Sequence, residues 1–353
     1  MKLASAFLVF FVSLPFLAMA QTRTTGEIGG AQFIVDVPAE PSGDVLFLAR
    51  GYRPDALVLS AIYEEETTFF KTLRATGWTI ASTSFQGNRW VMADGGQDLV
   101  ALYQHVNTKI LPVKRAFLYG ESMGGGIVTW MAEHAPTHFN GAISLGAYLY
   151  AEPKGETPAN PQLADYLPGN PGFPIVFLTN QEEMAASVAY VARAQASAFP
   201  PVVWAVDRPG HVNLNSAERL AALTAVIQKS EGQPLLARPN ALIPATPSSV
   251  AAISAGKAES KITRTRPIYG NLYTDFVSED LATLTINLGD TFALTHKTGT
   301  VRVTFAKTYS DVPFGAWVAF IDPEGHVQIS RNYANAAETL NAVKGDKIAL
   351  SKN

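Results

Sequence analysis

Along the first 230 residues, short apolar runs alternate with segments whose apolar residues recur at helical spacing. "EIGGAQFIVDV" (27–37) reads as a hairpin turning at Gly29-Gly30. "DVLFLA" (44–49) is a continuous apolar run, the mark of a strand buried on both faces. "EEETTFFKTLRATG" (64–77) has helical spacing and ends on a glycine suited to a C-cap. "WTIASTSF" (78–85) is strand-like, and "GQDLVALYQHVNTKIL" (96–111) sets Leu99, Leu102, Tyr103 and Val106 on one helical face. A strand "RAFLYG" (115–120), a helix "GGIVTWMAEHA" (125–135) and a strand "FNGAISLGAYL" (139–149) follow. Residues 151–173, rich in Pro, Gly and Asn, read as a loop or small lid. Beyond them come a strand "PIVFLT" (174–179), a helix (182–198), a strand "PVVWAVD" (201–207) and a helix "SAERLAALTAVIQ" (216–228). This order predicts an α/β fold with a doubly wound, mainly parallel sheet.

The rhythm breaks near Gly232. Residues 233–260 lack aromatics and periodicity and read as a linker. From Lys261 to Asn353, short alternating runs joined by Gly, Asp and Pro turns predict a small, barrel-like all-β domain. At the other end, Lys2, an apolar stretch and Ala18-Met19-Ala20 form the three parts of a secretory signal peptide, with cleavage expected after Ala20. The expected organisation is therefore a leader (1–20), an α/β domain (21–232), a linker (233–260) and a β domain (261–353). The mature chain is expected in the periplasm or secreted, with no membrane association.

Charge narrows the partners. Against 27 basic side chains stand 30 acidic ones, and no basic cluster marks a nucleic-acid surface. There is no cysteine, which rules out disulfides, thiolate metal sites and a Cys nucleophile.

The chemistry centres on "RAFLYGESMGGGIVTWMAEH" (115–134), which places Ser122 between Gly120 and Gly124 at a predicted strand-to-helix junction. A serine on so sharp a turn needs small residues two positions to either side, and the following helix directs its free N–H groups at the reaction centre. A base must then follow in sequence. His105 and His134 fall in predicted helices, His138 lies close behind the elbow helix, and His296 and His326 belong to the β region. His211, in the Pro-Gly loop after the last predicted strand of the sheet, is the candidate base. For the acid, Glu183 after "PIVFLT" ranks first, with Glu182 one residue away as the alternative. Asp207 is too close in sequence to His211, and Glu152 would serve only if the acid had moved to the preceding strand. The oxyanion donors are expected to be the N–H groups of Met123, after the nucleophile, and Tyr52, in the Arg50-Gly51-Tyr52 loop. Arg89 and Trp90 are candidates for lining the pocket, Arg89 by holding a substrate carboxylate, with an ordinary capped loop as the equal alternative.

On "YGESMGG", "ARGY" and "RPGHVN", residues 27–230 resemble the α/β-hydrolases, and among them exported bacterial serine hydrolases related to esterases and prolyl-oligopeptidase-like peptidases. The resemblance implies acyl transfer to water through a serine ester, with no cofactor and no metal. The C-terminal region resembles the C-terminal β domain of the S-adenosylmethionine hydroxide adenosyltransferase family. Gly270, Asn271 and Thr274 fit one motif of that family, and Asn332, Asn335, Ala336 and Ala337 another; Pro267 and Asp275 depart from the first. It implies a fold and not the transferase activity, since the family's N-terminal domain is missing. The leading expectation is a small-molecule carboxylic ester as substrate. Competing ones are a peptidase or amidase with the same triad, a non-catalytic binding protein, and an enzyme for nucleoside-linked esters. A homo-oligomer formed through the β domain is a further expectation.

Overall fold

Strands whose every residue is apolar have to be covered on both faces, and the first half of the chain does this with helices. The computed structural model describes residues 21–150, 166–235, 247–266 and 269–352. The expected leader, residues 151–165 with Glu152, and part of the expected linker lie outside the described residues.

The first sheet is built from β1 (Thr22–Ile28), β2 (Ala31–Val37), β3 (Asp44–Ala49), β4 (Thr79–Thr83), β5 (Arg115–Glu121), β6 (Gly141–Leu145), β7 (Ile175–Asn180) and β8 (Val202–Val206). Its order is β1-β2-β4-β3-β5-β6-β7-β8. The β1–β2 hairpin joins antiparallel, and every pairing from β4 to β8 is parallel. Helices α1 (Thr68–Ala75), α2 (Met92–His105), α3 (Met123–His134), α4 (Ala185–Arg193) and α5 (Ser216–Ser230) cover it. Alternation along each strand sends side chains to opposite faces. Phe47, Leu118 and Phe177 pack in one core with Leu99, Ile127, Met131 and Tyr190 of α2, α3 and α4. Leu46, Phe117 and Val176 pack in the other with Phe69, Leu73 and Leu223 of α1 and α5. Each such fully buried side chain contributes about 1.5–3 kcal/mol of transfer free energy.

Expected helix boundaries shift. The first helix starts at Thr68 rather than near Glu64, because residues 64–67 close a turn (Thr67 N–H to Glu64 O, 3.0 Å) and the Glu64 side chain is drawn to arginines of the second domain. The second helix begins earlier, at Met92, and its last turn widens over Val106–Ile110.

The second sheet comprises β9 (Ala252–Ser254), β10 (Lys257–Thr265), β11 (Leu272–Val277), β12 (Thr291–His296), β13 (Gly299–Phe305), β14 (Trp317–Ile321), β15 (His326–Arg331) and β16 (Lys347–Lys352), with short helices α6 (Ser278–Thr283) and α7 (Ala336–Leu340). Pairing of β10 with β11 closes seven strands into a barrel, and β9 adds to β10 as a flap. Phe292, Leu294, Val303, Ile329 and Leu350 fill its interior. The expected linker is shortened here, since residues 252–260 pair into the barrel. They turn at Ala255-Gly256, both at positive φ (47° and 74°), the geometry of a two-residue hairpin. All three residues of β9 are exposed, so no apolar alternation marks it in the sequence.

The barrel sits against the end of the first sheet where β3, β5 and β8 finish. Lys307 pairs with Glu182 at 2.9 Å, Asn213 Nδ2 donates to Ile321 O at 3.2 Å, and Ser216 N–H donates to Glu324 at 3.1 Å.

Candidate active site

At the end of β5 the chain reverses into α3 within one residue. Ser122 has φ 56° and ψ −116°, a strained conformation for a residue with a side chain. Backbone bonds brace it: Ser122 N–H donates to Leu145 O (2.8 Å), and Ser122 O accepts from Tyr148 N–H (3.1 Å). The flanking glycines are demanded by contact. A Cβ on Gly120 would lie 2.1 Å from Gly124 O, and one on Gly124 would lie 1.9 Å from Ala49 O. The glycine pattern thus marks a turn wedged between β3 and its own helix.

His211 comes from the loop after β8, and Glu183 from a single helical turn after β7. The Glu183 carboxylate holds that loop at two points. One oxygen bonds His211 Nδ1, and the other accepts from Val212 N–H at 3.1 Å. Burial lowers the His211 pKa, but the Glu183 hydrogen bond and charge outweigh it, so the imidazole sits above its ordinary value. Glu182, one residue away, points outward to Lys307. Asp207 is exposed. The remaining histidines lie elsewhere: His105 against Phe33, His138 on Tyr103, His134 on Trp130, and His296 and His326 in the barrel.

Asn180, fully buried at the end of β7, was not singled out from sequence. Its Nδ2 donates to Arg208 O (2.9 Å) and Asn213 O (3.0 Å), and its Oδ1 accepts from Asn213 N–H (2.8 Å). It therefore clamps both ends of the His211 loop to the strand that also carries Glu183. A polar residue closing an apolar strand run was the only signal available.

The Arg50–Arg53 loop passes over Ser122. A Cβ on Gly51 would lie 3.5 Å from Ser122 Cβ. Among the described residues, neither the Tyr52 nor the Met123 N–H donates a hydrogen bond within the protein. Arg50 anchors the loop, donating to Ser84 O (2.9 Å) and Gly87 O (2.7 Å) with its guanidinium over Phe85. Burial first, and the charge of Arg53 second, push the Arg50 pKa down to about 9. Trp90 backs Tyr52, with ring centroids 5.2 Å apart. Arg89 pairs instead with Asp55 at 2.5 Å and is mostly exposed, so of the two residues read as pocket candidates neither borders the cavity.

Ser122, His211 and Tyr52 line one cavity of about 540 Å³. Its far wall belongs to the barrel, including Arg266, Tyr269, Asn271, Tyr309 and the Arg331–Ala334 segment. A charged cluster borders the same cavity. Tyr119 Oη donates to Glu121 at 2.5 Å, and Arg219 donates to Glu121 at 3.1 Å. Glu64 is bonded by Arg266, lies 3.4 Å from Arg264, and accepts from Tyr273 Oη at 3.3 Å. Burial raises the Glu64 pKa, but Arg266 and Arg264 overcome this and hold it below the usual carboxylate range.

Residues 88–186 match the family of serine aminopeptidases, S33, and residues 268–349 match the SAM hydroxide adenosyltransferase C-terminal domain. The chain joins an α/β-hydrolase domain to an adenosyltransferase-type C-terminal domain. Over 71 residues it is 41% identical to monoglyceride lipase from Rattus norvegicus, an alignment that takes in 20% of this chain and 23% of the lipase. Among solved structures, dienelactone hydrolase from Anabaena variabilis aligns at 18% identity over 61% of this chain and 96% of that one, with a TM-score of 0.42. The esterase from Pyrococcus furiosus aligns at 13% identity over 65% and 97%, with a TM-score of 0.44. The first domain has the α/β-hydrolase fold.

Proposed function

We propose that the protein is a serine hydrolase of carboxylic esters, with Ser122 as nucleophile, His211 as base and Glu183 as the acid that orients it. The observation that carries this reading is the Glu183 carboxylate on His211 Nδ1, in a loop that shares a cavity with Ser122. In this arrangement Nε2 is the nitrogen left to take the Ser122 proton. Ser122 Oγ attacks the ester carbonyl, and its proton passes to His211. The oxyanion is met by the Met123 and Tyr52 N–H groups, neither of which has another partner among the described residues. Collapse breaks the bond to the alcohol, which leaves with the proton from His211. Water, deprotonated by His211, then attacks the acyl-serine; the acid is released and Oγ recovers its proton. Likeness to a monoglyceride lipase supports an ester as substrate.

A second reading, peptide or amide hydrolysis by the same residues, is favoured by the aminopeptidase family matched over residues 88–186. The test is incubation with a fluorophosphonate probe and intact-mass analysis, followed by matched ester and anilide substrates. A single adduct, lost in Ser122→Ala and His211→Ala, is expected, with esters turned over faster than anilides. A wild-type protein that takes no adduct would defeat both readings, and anilide turnover without ester turnover would favour the second. The proposal includes export and removal of the leader after Ala20, on the strength of the apolar stretch and small residues preceding Gln21. An exported product whose N-terminus is not Gln21 would count against it. Self-association through the barrel is part of the same proposal, checked by light scattering with and without residues 233–353.

A further inference from the structure

The cavity over Ser122 holds more positive charge than its own carboxylates balance. Among the described residues, five arginines line it against two glutamates. Four of the five have evident structural partners. Arg266 is paired with Glu64 and Arg219 with Glu121. Arg331 donates to Gly315 O and Thr339 within the barrel, and Arg50 is bonded to the backbone of its own and the neighbouring loop.

Arg53 is different. It is 1% exposed, the largest side chain among the fully buried ones. Its Nε donates to Tyr269 Oη at 3.3 Å and its Nη1 to Ser60 O at 2.9 Å. Its Nη2 donates to no described residue, and no described carboxylate lies within ion-pair distance. A buried guanidinium without a counter-charge is unfavourable, and the nearby Arg50 makes it more so. The arrangement is completed by an anion entering the cavity that both Arg53 and Tyr269 line.

We propose that Arg53 and the Tyr269 hydroxyl form a carboxylate-binding subsite, and that the protein's preferred ester substrates carry a free carboxylate. This rests on the esterase reading given above. Position supports it: Gly51 crosses Ser122, Tyr52 offers the oxyanion N–H, and Arg53 follows. The anion site and the reacting carbonyl are thus set by one loop, with at most about 7 Å of backbone between Gly51 and Arg53. A spacer of a few carbons would span them, past Tyr52, Tyr63 and Phe70 in the cavity wall. One free guanidinium edge and one hydroxyl suit a single monoanionic group. Because Tyr269 comes from the barrel, the subsite exists only when both domains are in place.

The subsite is tested with two 4-nitrophenyl esters of equal acyl length, the hexanoate and the hydrogen adipate, which differ in a terminal carboxylate. Fluorophosphonate labelling of the same preparation is measured in parallel. In the wild type, kcat/KM is expected to favour the adipate by about 10- to 100-fold at low salt, as for a hydrogen bond to a charged group. Arg53→Gln should bring the ratio close to one. Should that variant not fold, Tyr269→Phe, on the barrel side and away from the hydrolase core, should lower the ratio about two- to fivefold. A labelled wild type with a ratio at or below one would overturn the subsite and leave the esterase reading standing. No labelling and no turnover of either ester would overturn the esterase reading, and this inference with it.

Discussion

The two domains place their motif residues in opposite ways. In the hydrolase domain, Ser122 and His211 end at the open rim of a sheet whose faces are both covered, and they look into a cavity. In the barrel, the motif residues mostly hold the barrel itself. Asn271 donates to Tyr309 Oη, Thr274 to Val327 O and Asn332 to Val312 O, while Asn335 caps α7 by accepting from Glu338 N–H. A Cβ on Gly270 would lie 1.6 Å from Asn335 Oδ1, so that glycine is there to admit the asparagine. The barrel reaches the cavity chiefly through Arg266, just before the first motif, and Tyr269, which stands within its span beside Gly270. A motif in the same cleft as a nucleophile can therefore be architectural, and side-chain partners decide which it is.

Substitutions can break this contrast or sharpen it. The largest effect is expected at Ser122: Ser122→Ala should lower kcat by about 10⁴- to 10⁶-fold and remove the probe adduct. Next is Glu183→Gln, with a loss of about 10³- to 10⁴-fold, against less than about twofold for Glu182→Gln. A pH profile separates orientation from mere folding. His211 must be neutral to act as base, and its pKa stands above the ordinary value because of Glu183. Activity in the wild type should therefore rise with pH later than it would for an unperturbed histidine. In Glu183→Gln the acid limb should move to lower pH, and an unmoved limb would remove Glu183 from its role.

Smaller effects test the join between the domains. Glu64→Gln leaves Arg266 and Arg264 without their shared carboxylate, and should cost about 3 kcal/mol in denaturant unfolding along with a raised KM. Asn180→Ala should lower kcat about tenfold by releasing the His211 loop, with fluorophosphonate labelling slowed but present. The smallest effect is expected from Asn335→Ala. Loss of its cap should cost about 1 kcal/mol, read as a lower Tm, with ester turnover held within about twofold. A large loss of activity there would show that the barrel's second motif takes part in the site.

Much of this was legible one segment at a time. Continuous apolar runs such as "DVLFLA" foretell strands covered on both faces, since each of their residues needs a partner on one side or the other. The glycines around Ser122 foretell a turn without room for side chains, and chain order singles out His211. Other features were not legible for definite reasons. Whether Glu182 or Glu183 faces His211 depends on the rotation of one helical turn, set by Lys307 on one side and Val212 N–H on the other. β9 carries no apolar alternation because both of its faces are exposed.

What the sequence determined by itself is what depends on near neighbours: the strand and helix order, the sharp turn at Ser122, and the loops that carry His211 and Glu183. Their causes are steric limits and periodicities that operate over a few residues. The tertiary structure alone decided the composition of the cavity. Arg53 meets Tyr269 across 216 positions and Glu64 meets Tyr273 across 209, and no local pattern encodes such a meeting. It follows from how two separately closed cores dock, because buried charges at that junction are stable only where the opposite domain supplies their partners.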